Sequence, residues 1–263
     1  MAIKGVLLDI AGVLYQGKSA IPGAIEAVRA LRAAGLPLRL VTNTSRQPKR
    51  SVLAQLHGLG FEISAAEVFT APEAVAAHLV RNDLRPYLLI HADLDEEFAA
   101  LDGRRPNAVV LGDAADRFTY DRLNAAFRLL IEGAPLLAIA GNRYFREADG
   151  LSLDAGPFVA ALEHAAQVQA TIFGKPAPAF FQAALADLGT QAAETLMIGD
   201  DVEADVNGAL ALGLHATLVR TGKFRPGDEG RIGGGGGCAA DVGEAVAGVL
   251  GSGDRACAES RST

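Results

Sequence analysis

The chain has 263 residues, of which 50% are hydrophobic and 21% are charged, a composition that excludes a disordered or fibrous protein. Its length suggests two compact units, and its net charge of -7, with acidic and basic residues interspersed, argues against nucleic-acid and membrane partners. Because Asp9 interrupts the first apolar stretch and no apolar run could span a bilayer, we expect a cytoplasmic protein.

Apolar runs that alternate with amphipathic stretches predict an α/β fold with parallel sheets. Ser45 is a candidate cap for a helix that ends at His57, and a helix over 64–80 would break near Pro72. Five consecutive glycines at 233–237 and the small polar tail from 251 are expected to be mobile. The predicted strands are 5–10, 36–42, 87–91, 108–112, 135–140, 170–173, 195–198 and 215–219, and the other predicted helices lie between Gly23 and Gly35 and at 120–131, 178–188 and 202–212.

Polar residues follow four of these strands, and the carboxyl ends of parallel strands are where α/β proteins bind ligands. Asp9 ends the first strand, Thr42 and Asn43 end the second, Lys175 follows a late strand, and Asp200 follows the next. Carboxylates from two strands would repel one another unless a hard divalent cation such as Mg²⁺ lay between them. The pattern therefore predicts a metal-dependent site for phosphate chemistry.

The same residues have distinct expected tasks in phosphoryl transfer. The hydroxyl and backbone N–H groups at Thr42 and Asn43, just before a predicted helix, suit phosphate oxygens, and Lys175 adds a positive charge. A carboxylate that is held by a metal and faces a phosphorus atom can attack it, forming an aspartyl-phosphate that water hydrolyses. Asp9 is the candidate nucleophile.

Four segments together resemble the motifs of the haloacid dehalogenase superfamily: DIAGVLY at 9–15, VTNTS at 41–45, FGKPAP at 173–178 and MIGDDVEAD at 197–205. The insertion between the second and third is similar to the cap of the NagD-like subfamily IIA. LRPYLLIH at 84–91, GLSLDAGP at 150–157 and VRTGKFRP at 219–226 are most similar to the phospholysine, phosphohistidine and pyrophosphate phosphatases of that subfamily.

The resemblance implies a doubly wound, parallel-sheet, Rossmann-like α/β core with an inserted smaller α/β cap domain of the C2 type. The core would comprise 1–83 and 171–250, the cap 84–170, and 251–263 a mobile tail. The implied magnesium ligands are Asp9, the carbonyl of Ala11 and Asp200, with Asp201 and Asp205 as outer carboxylates. Catalysis would fall to Asp9 and Lys175, and phosphate binding to Thr42, Asn43 and Lys175.

One position departs from the superfamily pattern. Most of its phosphatases have a second Asp two residues after the nucleophile, which transfers protons to the leaving group and from water, whereas this chain has Ala11. A missing general acid typically costs about 10²- to 10⁴-fold in rate. Because orthophosphate, amines and imidazole leave more readily than alkoxides, Ala11 favours pyrophosphate and phosphoramidate substrates.

Two other functions remain open at this stage: a NagD-like phosphatase for sugar phosphates or nucleotides, and a phosphate-binding regulatory protein with little turnover. The substrate would be a small phosphorylated molecule or a phosphorylated side chain, selected by cap residues Asn142, Arg143 and Tyr144, which follow a predicted strand. Because cap strands in this subfamily can form dimer contacts, the resemblance also allows a homodimer.

Overall fold

The computed structural model describes residues 3–146 and 150–259 and contains two compact units. The first unit lies within Met1–Thr42, Leu53–Phe69 and Ala184–Thr263, and the second is Asn43–Val52 with Thr70–Ala183. The limits of these units differ from the limits predicted for the core and the cap, which fall after residues 83 and 170. The predicted limits of the core and the cap stay predictions. No helix in the described part of the chain is long and apolar enough to cross a membrane.

Strands and helices alternate along most of the described chain. The strands are β1 Gly5–Asp9, β2 Tyr15–Gln16, β3 Ser19–Ala20, β4 Leu38–Thr42, β5 Val68–Thr70, β6 Pro86–Leu89, β7 Ala108–Leu111, β8 Leu136–Ala138, β9 Tyr144–Arg146, β10 Leu151–Leu153, β11 Thr171–Ile172, β12 Thr195–Gly199, β13 His215–Val219 and β14 Gly237–Ala239. The α-helices are α1 Ala24–Ala33, α2 Lys49–Gly58, α3 Ala71–Arg81, α4 Tyr120–Ile131, α5 Gly156–Ala166, α6 Pro178–Leu188, α7 Gly208–Ala211 and α8 Val242–Glu259.

The first unit is built around a six-stranded sheet with the order β14-β13-β12-β1-β4-β5. Strand β1 lies near its middle and pairs in parallel with both β12 and β4. All five residues of β1 are buried, as its apolar sequence predicts for a strand covered on both faces. The chain adds β4 and β5 on one side of β1 and β12 to β14 on the other, which creates a topological switch point beside β1.

The second unit contains a four-stranded sheet with the order β11-β8-β7-β6, in which each neighbouring pair is parallel. Strand residues Leu89, Val109 and Leu136 share a buried core with Leu130 of α4 and Leu162 of α5. Strands β9 and β10 form a separate antiparallel pair. The predicted α/β fold class, with parallel sheets flanked by helices, is therefore confirmed.

Four details differ from the sequence prediction. Helix α2 begins at Lys49 rather than at Ser45, because Pro48 disfavours helical backbone at the residue before it. Strand β5 and helix α3 replace the single helix predicted over 64–80. Gly237 is not in a mobile loop, since it pairs with Thr217 at the edge of the sheet through backbone groups that need no side chain.

The fourth difference concerns the C-terminal end of the last helix. Helix α8 continues to Glu259 and therefore overlaps the tail predicted from 251, whereas 260–263 lie outside the described residues. Cys238 is exposed and has a free thiol.

Candidate active site

Three buried carboxylates meet at the switch point of the first unit. Asp9 is the last residue of β1, Asp200 follows β12 directly, and Asp205 lies on the turn of helix that comes next. Their exposed fractions are 8%, 1% and 1%, and one carboxylate oxygen from each lies within 4.8 Å of the others. Asp205, which the resemblance implied as an outer carboxylate, thus belongs to the same cluster as Asp9 and Asp200, the two carboxylates among the implied ligands.

Two glycines make room for the Asp200 carboxylate. A Cβ at Gly12 would lie 1.9 Å from Asp200 Oδ2, and one at Gly222 would lie 2.0 Å from the same oxygen. Both glycines have positive φ, 92° and 60°, which L side chains rarely adopt. The backbone N–H of Lys223 donates to Asp200 Oδ2 at 2.7 Å, and the Thr221 hydroxyl donates to the Gly12 carbonyl at 2.5 Å. The loop after β13 therefore fixes one carboxylate orientation.

The Asp205 carboxylate is positioned by a third close approach. A Cβ at Gly199 would lie 2.3 Å from Asp205 Oδ2, so only glycine fits there. Asp205 lies on a π-helical turn, Val202–Asn207, a conformation that is rare and frequent at functional sites. Asp201 caps this turn, because its Oδ1 accepts hydrogen bonds from the N–H groups of Glu203 at 3.1 Å and Ala204 at 3.0 Å. Asp201 thus has a structural task of its own.

Nearby carboxylates help to raise the pKa values of two side chains, Lys223 and Tyr15. Burial alone would lower the pKa of Lys223, but the carboxylates, Asp201 foremost, raise it above its usual value. The Lys223 ammonium lies 3.3 Å from Asp201 Oδ2. Burial, and then the charge of Asp9, raise the pKa of the Tyr15 phenol. An open pocket of about 290 Å³ lies beside the cluster, with Asp200, Asp201 and Lys223 in its wall.

The residues predicted to bind phosphate fall in both units. Thr42 is the last residue of β4, in the first unit, and the strand residue before it, Val41, is paired with Asp9. Asn43 and Lys175 are in the second unit and contact each other twice. The Asn43 amide donates to the Lys175 carbonyl at 2.8 Å, and its oxygen accepts from the Lys175 N–H at 2.7 Å. These two hydrogen bonds fix the backbone of Lys175, a charged residue that is itself buried.

The predicted substrate-selecting residues are exposed. Asn142 and Arg143 lie in the connection between β8 and β9, and Tyr144, the first residue of β9, is 54% exposed. The Asn142 carbonyl accepts a hydrogen bond from Gly156 N–H at 2.8 Å, which ties this connection to the start of α5. Ala11 is also exposed. Their expected roles stay predictions.

Sequence reasoning missed several residues that shape the site. Gly12 and Gly222 matter because they lack a side chain, and no local pattern distinguishes them from turn glycines. Lys223 lay within a segment noted for its resemblance, but its backbone contact with Asp200 depends on chain folding. The only available signal was the glycine in each of DIAGVLY and VRTGKFRP.

The chemistry of the cluster fits a hard divalent cation. Three carboxylate oxygens within 4.8 Å would repel one another in a buried setting, and Mg²⁺ prefers such oxygen ligands.

The family comparisons agree with this arrangement. Residues 6–104 match the model described as haloacid dehalogenase-like hydrolase, and residues 172–245 match the one described as HAD-hydrolase-like. Human phospholysine phosphohistidine inorganic pyrophosphate phosphatase is 45% identical over 234 residues, or 86% of each chain.

This chain belongs to the haloacid dehalogenase-like hydrolases. A second human relative, haloacid dehalogenase-like hydrolase domain-containing protein 2, is 46% identical over 88% of this chain and 89% of its own. Among solved structures of the family, NagD from E. coli K-12 has a TM-score of 0.82 at 25% identity and covers 93% of this chain and 98% of its own. The 4-nitrophenylphosphatase from Thermotoga maritima has a TM-score of 0.81 at 27% identity and covers 93% and 96%. The resemblance to NagD-like phosphatases that the motifs indicated is confirmed, as is the prediction of an enzyme.

Proposed function

We propose that this haloacid dehalogenase-like hydrolase removes phosphate from pyrophosphate or from phosphoramidates through an aspartyl-phosphate on Asp9. The observation that carries the proposal is the burial of Asp9 at the end of β1, beside Asp200 and Asp205. The name of the human relative, which includes phospholysine, phosphohistidine and inorganic pyrophosphate, supports the substrate class.

In the first half of the reaction, an Asp9 carboxylate oxygen bonds to phosphorus while the bond from phosphorus to the leaving group breaks. Orthophosphate, or an amine or imidazole protonated from solvent, leaves. In the second half, water attacks phosphorus, the bond between Asp9 and phosphorus breaks, and orthophosphate departs with Asp9 restored. Asp9, Asp200 and the Ala11 carbonyl would hold Mg²⁺, with Asp201 and Asp205 supporting them. When bound, the cation would offset the charge of the carboxylates and of the substrate phosphate.

Phosphate binding is assigned to Thr42, Asn43 and Lys175. The Thr42 hydroxyl would donate to a phosphate oxygen, and the Lys175 ammonium would balance the charge that develops in the transition state. Since the two hydrogen bonds between Asn43 and the Lys175 backbone fix both residues, little reorganisation would accompany binding. Asn142, Arg143 and Tyr144 are proposed to contact the leaving group.

Ala11 supports the choice of labile bonds. Its methyl group cannot transfer a proton, so a leaving group that needs protonation within the site would depart slowly. Pyrophosphate releases a good leaving group, and a phosphoramidate nitrogen can be protonated before cleavage. A cytoplasmic location, a lack of nucleic-acid partners and homodimer formation stay predictions from the sequence.

The proposal is tested by phosphate release from pyrophosphate, phosphohistidine and an alkyl phosphate, with Mg²⁺ and after chelation, for wild type and Asp9→Asn. We expect the first two substrates to be preferred, and the variant to lose at least about 10³-fold in kcat because it lacks the nucleophile. Equal rates for wild type and Asp9→Asn would refute the mechanism. A phosphoenzyme that forms but does not hydrolyse would support the regulatory alternative.

Ala11→Asp tests the leaving-group argument separately. The new carboxyl group would supply the missing acid and raise the ratio of ester to pyrophosphate hydrolysis by about 10²-fold. The ester in this ratio is the same alkyl phosphate, whose leaving group needs a proton. An unchanged ratio would show that Ala11 does not set the preference. A wild type that hydrolyses the alkyl phosphate faster than pyrophosphate would favour the second candidate, a general small-molecule phosphatase, which the similarity to NagD supports.

A further inference from the structure

Within the second unit, the segment that follows Asn43 crosses one edge of the four-stranded sheet. Asn43 bonds to Lys175, just after β11. Arg46 bonds to Asp113, just after β7, and the Lys49 N–H donates at 2.6 Å to Glu97, which lies beyond β6. The order of these contacts along the segment matches the strand order β11-β8-β7-β6. The segment therefore spans the carboxyl edge of the sheet, where α/β folds bind ligands.

The middle contact is the most constrained of these. Asp113 is buried, with 2% of its surface exposed. Its Oδ1 accepts a hydrogen bond from Ala115 N–H at 3.1 Å, and its Oδ2 accepts from Arg46 Nε. The Arg46 guanidinium also lies over the Phe145 ring, 4.3 Å from the ring centroid. A carboxylate from the connection after β7 and an aromatic face from β9 thus hold one side chain.

The Asn43 end of the segment depends on this contact. Only two residues separate Arg46 from Asn43, so a displacement of Arg46 is transmitted directly to the amide that bonds the Lys175 backbone. Removing Arg46 takes a charged partner from the buried Asp113 carboxylate, and removing Asp113 takes one of its partners from the Arg46 guanidinium, so either change favours rearrangement of the segment. Asn43 and Lys175 would then lose their fixed spacing.

We infer that Arg46 and Asp113 are positioning residues that hold Asn43 and Lys175 in the geometry for phosphate binding. This inference rests on the proposed function, in which Asn43 and Lys175 bind the substrate phosphate. Neither Arg46 nor Asp113 needs to touch the substrate. Their effect is on the affinity of the site for phosphate rather than on bond cleavage by Asp9.

The test compares Asp113→Asn and Arg46→Gln with a matched pair in the same unit, Asp95→Asn and Arg117→Gln. Arg117 and Asp95 form a two-bond ion pair at 2.8 Å, but Asp95 is 54% exposed, so the control removes an ion pair from the surface. The readouts are the Kd of orthophosphate with Mg²⁺, by calorimetry, and KM and kcat for pyrophosphate.

We expect Asp113→Asn and Arg46→Gln to weaken orthophosphate binding and raise KM by about tenfold, with kcat changed less than about threefold. The double variant should bind orthophosphate with about the same Kd as either single variant, because the two residues act as one unit. The control variants should stay within about twofold of wild type. Orthophosphate binding by Asp113→Asn that equals that of Asp95→Asn would overturn the inference.

Two further variants separate the possible failures. If Asp113→Asn unfolds, Phe145→Leu, which removes only the ring under Arg46, should still weaken orthophosphate binding by a few fold, and normal binding by it would overturn the inference. If Asn43→Asp weakens phosphate binding while the Arg46 and Asp113 variants do not, the positioning role fails and the proposed function stands. If Asp9→Asn retains full activity, the proposed function itself fails.

Discussion

The carboxylates of the first unit and the residues of the second that are proposed to bind phosphate are held in place by opposite means. The Asp200 and Asp205 carboxylates occupy space that is open only because Gly12, Gly222 and Gly199 have no side chain. Asn43 and Lys175 are held by contacts that are present, namely paired hydrogen bonds and the nearby ion pair of Arg46 with Asp113.

This difference teaches how each region should respond to substitution. A side chain added at a confining glycine must displace a buried carboxylate, so the metal site should fail sharply. Loss of a hydrogen bond leaves the remaining contacts in place, so the phosphate site should weaken in proportion to what is removed. Three variants test this contrast, and their expected effects decrease in the order Gly222→Ala, Asn43→Asp, Asp205→Asn.

Gly222→Ala should weaken Mg²⁺ binding about 10- to 100-fold, a range typical for residues that orient metal ligands. The new Cβ would lie 2.0 Å from Asp200 Oδ2 and 2.5 Å from the Gly12 Cα, so the carboxylate has to turn away. Titration calorimetry with Mg²⁺ measures the change. Gly17→Ala is the control, because Gly17 has the same φ of 60° but nothing within 4 Å of the added atom. Equal Mg²⁺ affinities in the two variants would show that backbone strain, not confinement, matters.

Asn43→Asp should weaken orthophosphate binding by about tenfold. The substituted side chain keeps an acceptor for the Lys175 N–H but loses the donor to the Lys175 carbonyl and adds a negative charge. Asn82→Asp is the matched control, since the Asn82 amide also donates to a carbonyl, that of His78, at 2.8 Å on an exposed helix end. Calorimetry with orthophosphate in saturating Mg²⁺ distinguishes them. The account is contradicted if both variants bind orthophosphate as wild type does.

Asp205→Asn should stabilise the metal-free protein by about 1 kcal/mol, or roughly 2–4 °C in Tm. The substitution removes one of three buried carboxylates that repel one another. In the wild type, the Asp201 N–H donates to Asp205 Oδ2 at 3.2 Å, and the amide oxygen of the new Asn can accept the same hydrogen bond. With saturating Mg²⁺ the gain should vanish or reverse, because the cation then offsets the repulsion. Thermal unfolding with chelator and with Mg²⁺ gives both values, and an identical shift in the two conditions would exclude repulsion as the cause.

The sequence predicts the residues whose position follows from strand order alone. Asp9 and Asp200 each follow an apolar run, and the doubly wound topology brings the ends of those runs together. The same reasoning identified Lys175 and Asn43 as strand-end residues. Helices with clear periodicity, such as α4 and α6, begin and end where the pattern predicts.

Features that depend on distant residues could not be predicted. Arg46 and Asp113 are 67 residues apart, and Thr221 bonds to Gly12 across 209 residues. Two local signals gave wrong predictions. Ser45 is a residue type that often caps a helix, but the helix begins only at Lys49, after Pro48. The three residues of β5 are too few to show the period of a strand. The glycines that confine Asp200 and Asp205 have no signal in a single sequence beyond being glycine.

The central claim is that phosphate passes through Asp9, and its most direct test is to trap the phosphoenzyme. Wild type and Asp9→Asn would be mixed with radiolabelled pyrophosphate and Mg²⁺, quenched in acid within one turnover, and separated from free label. The account predicts label on the wild-type chain that hydroxylamine releases, as expected for an acyl phosphate, and none on Asp9→Asn. Turnover by wild type without any trapped label, or equal label on both proteins, would contradict it.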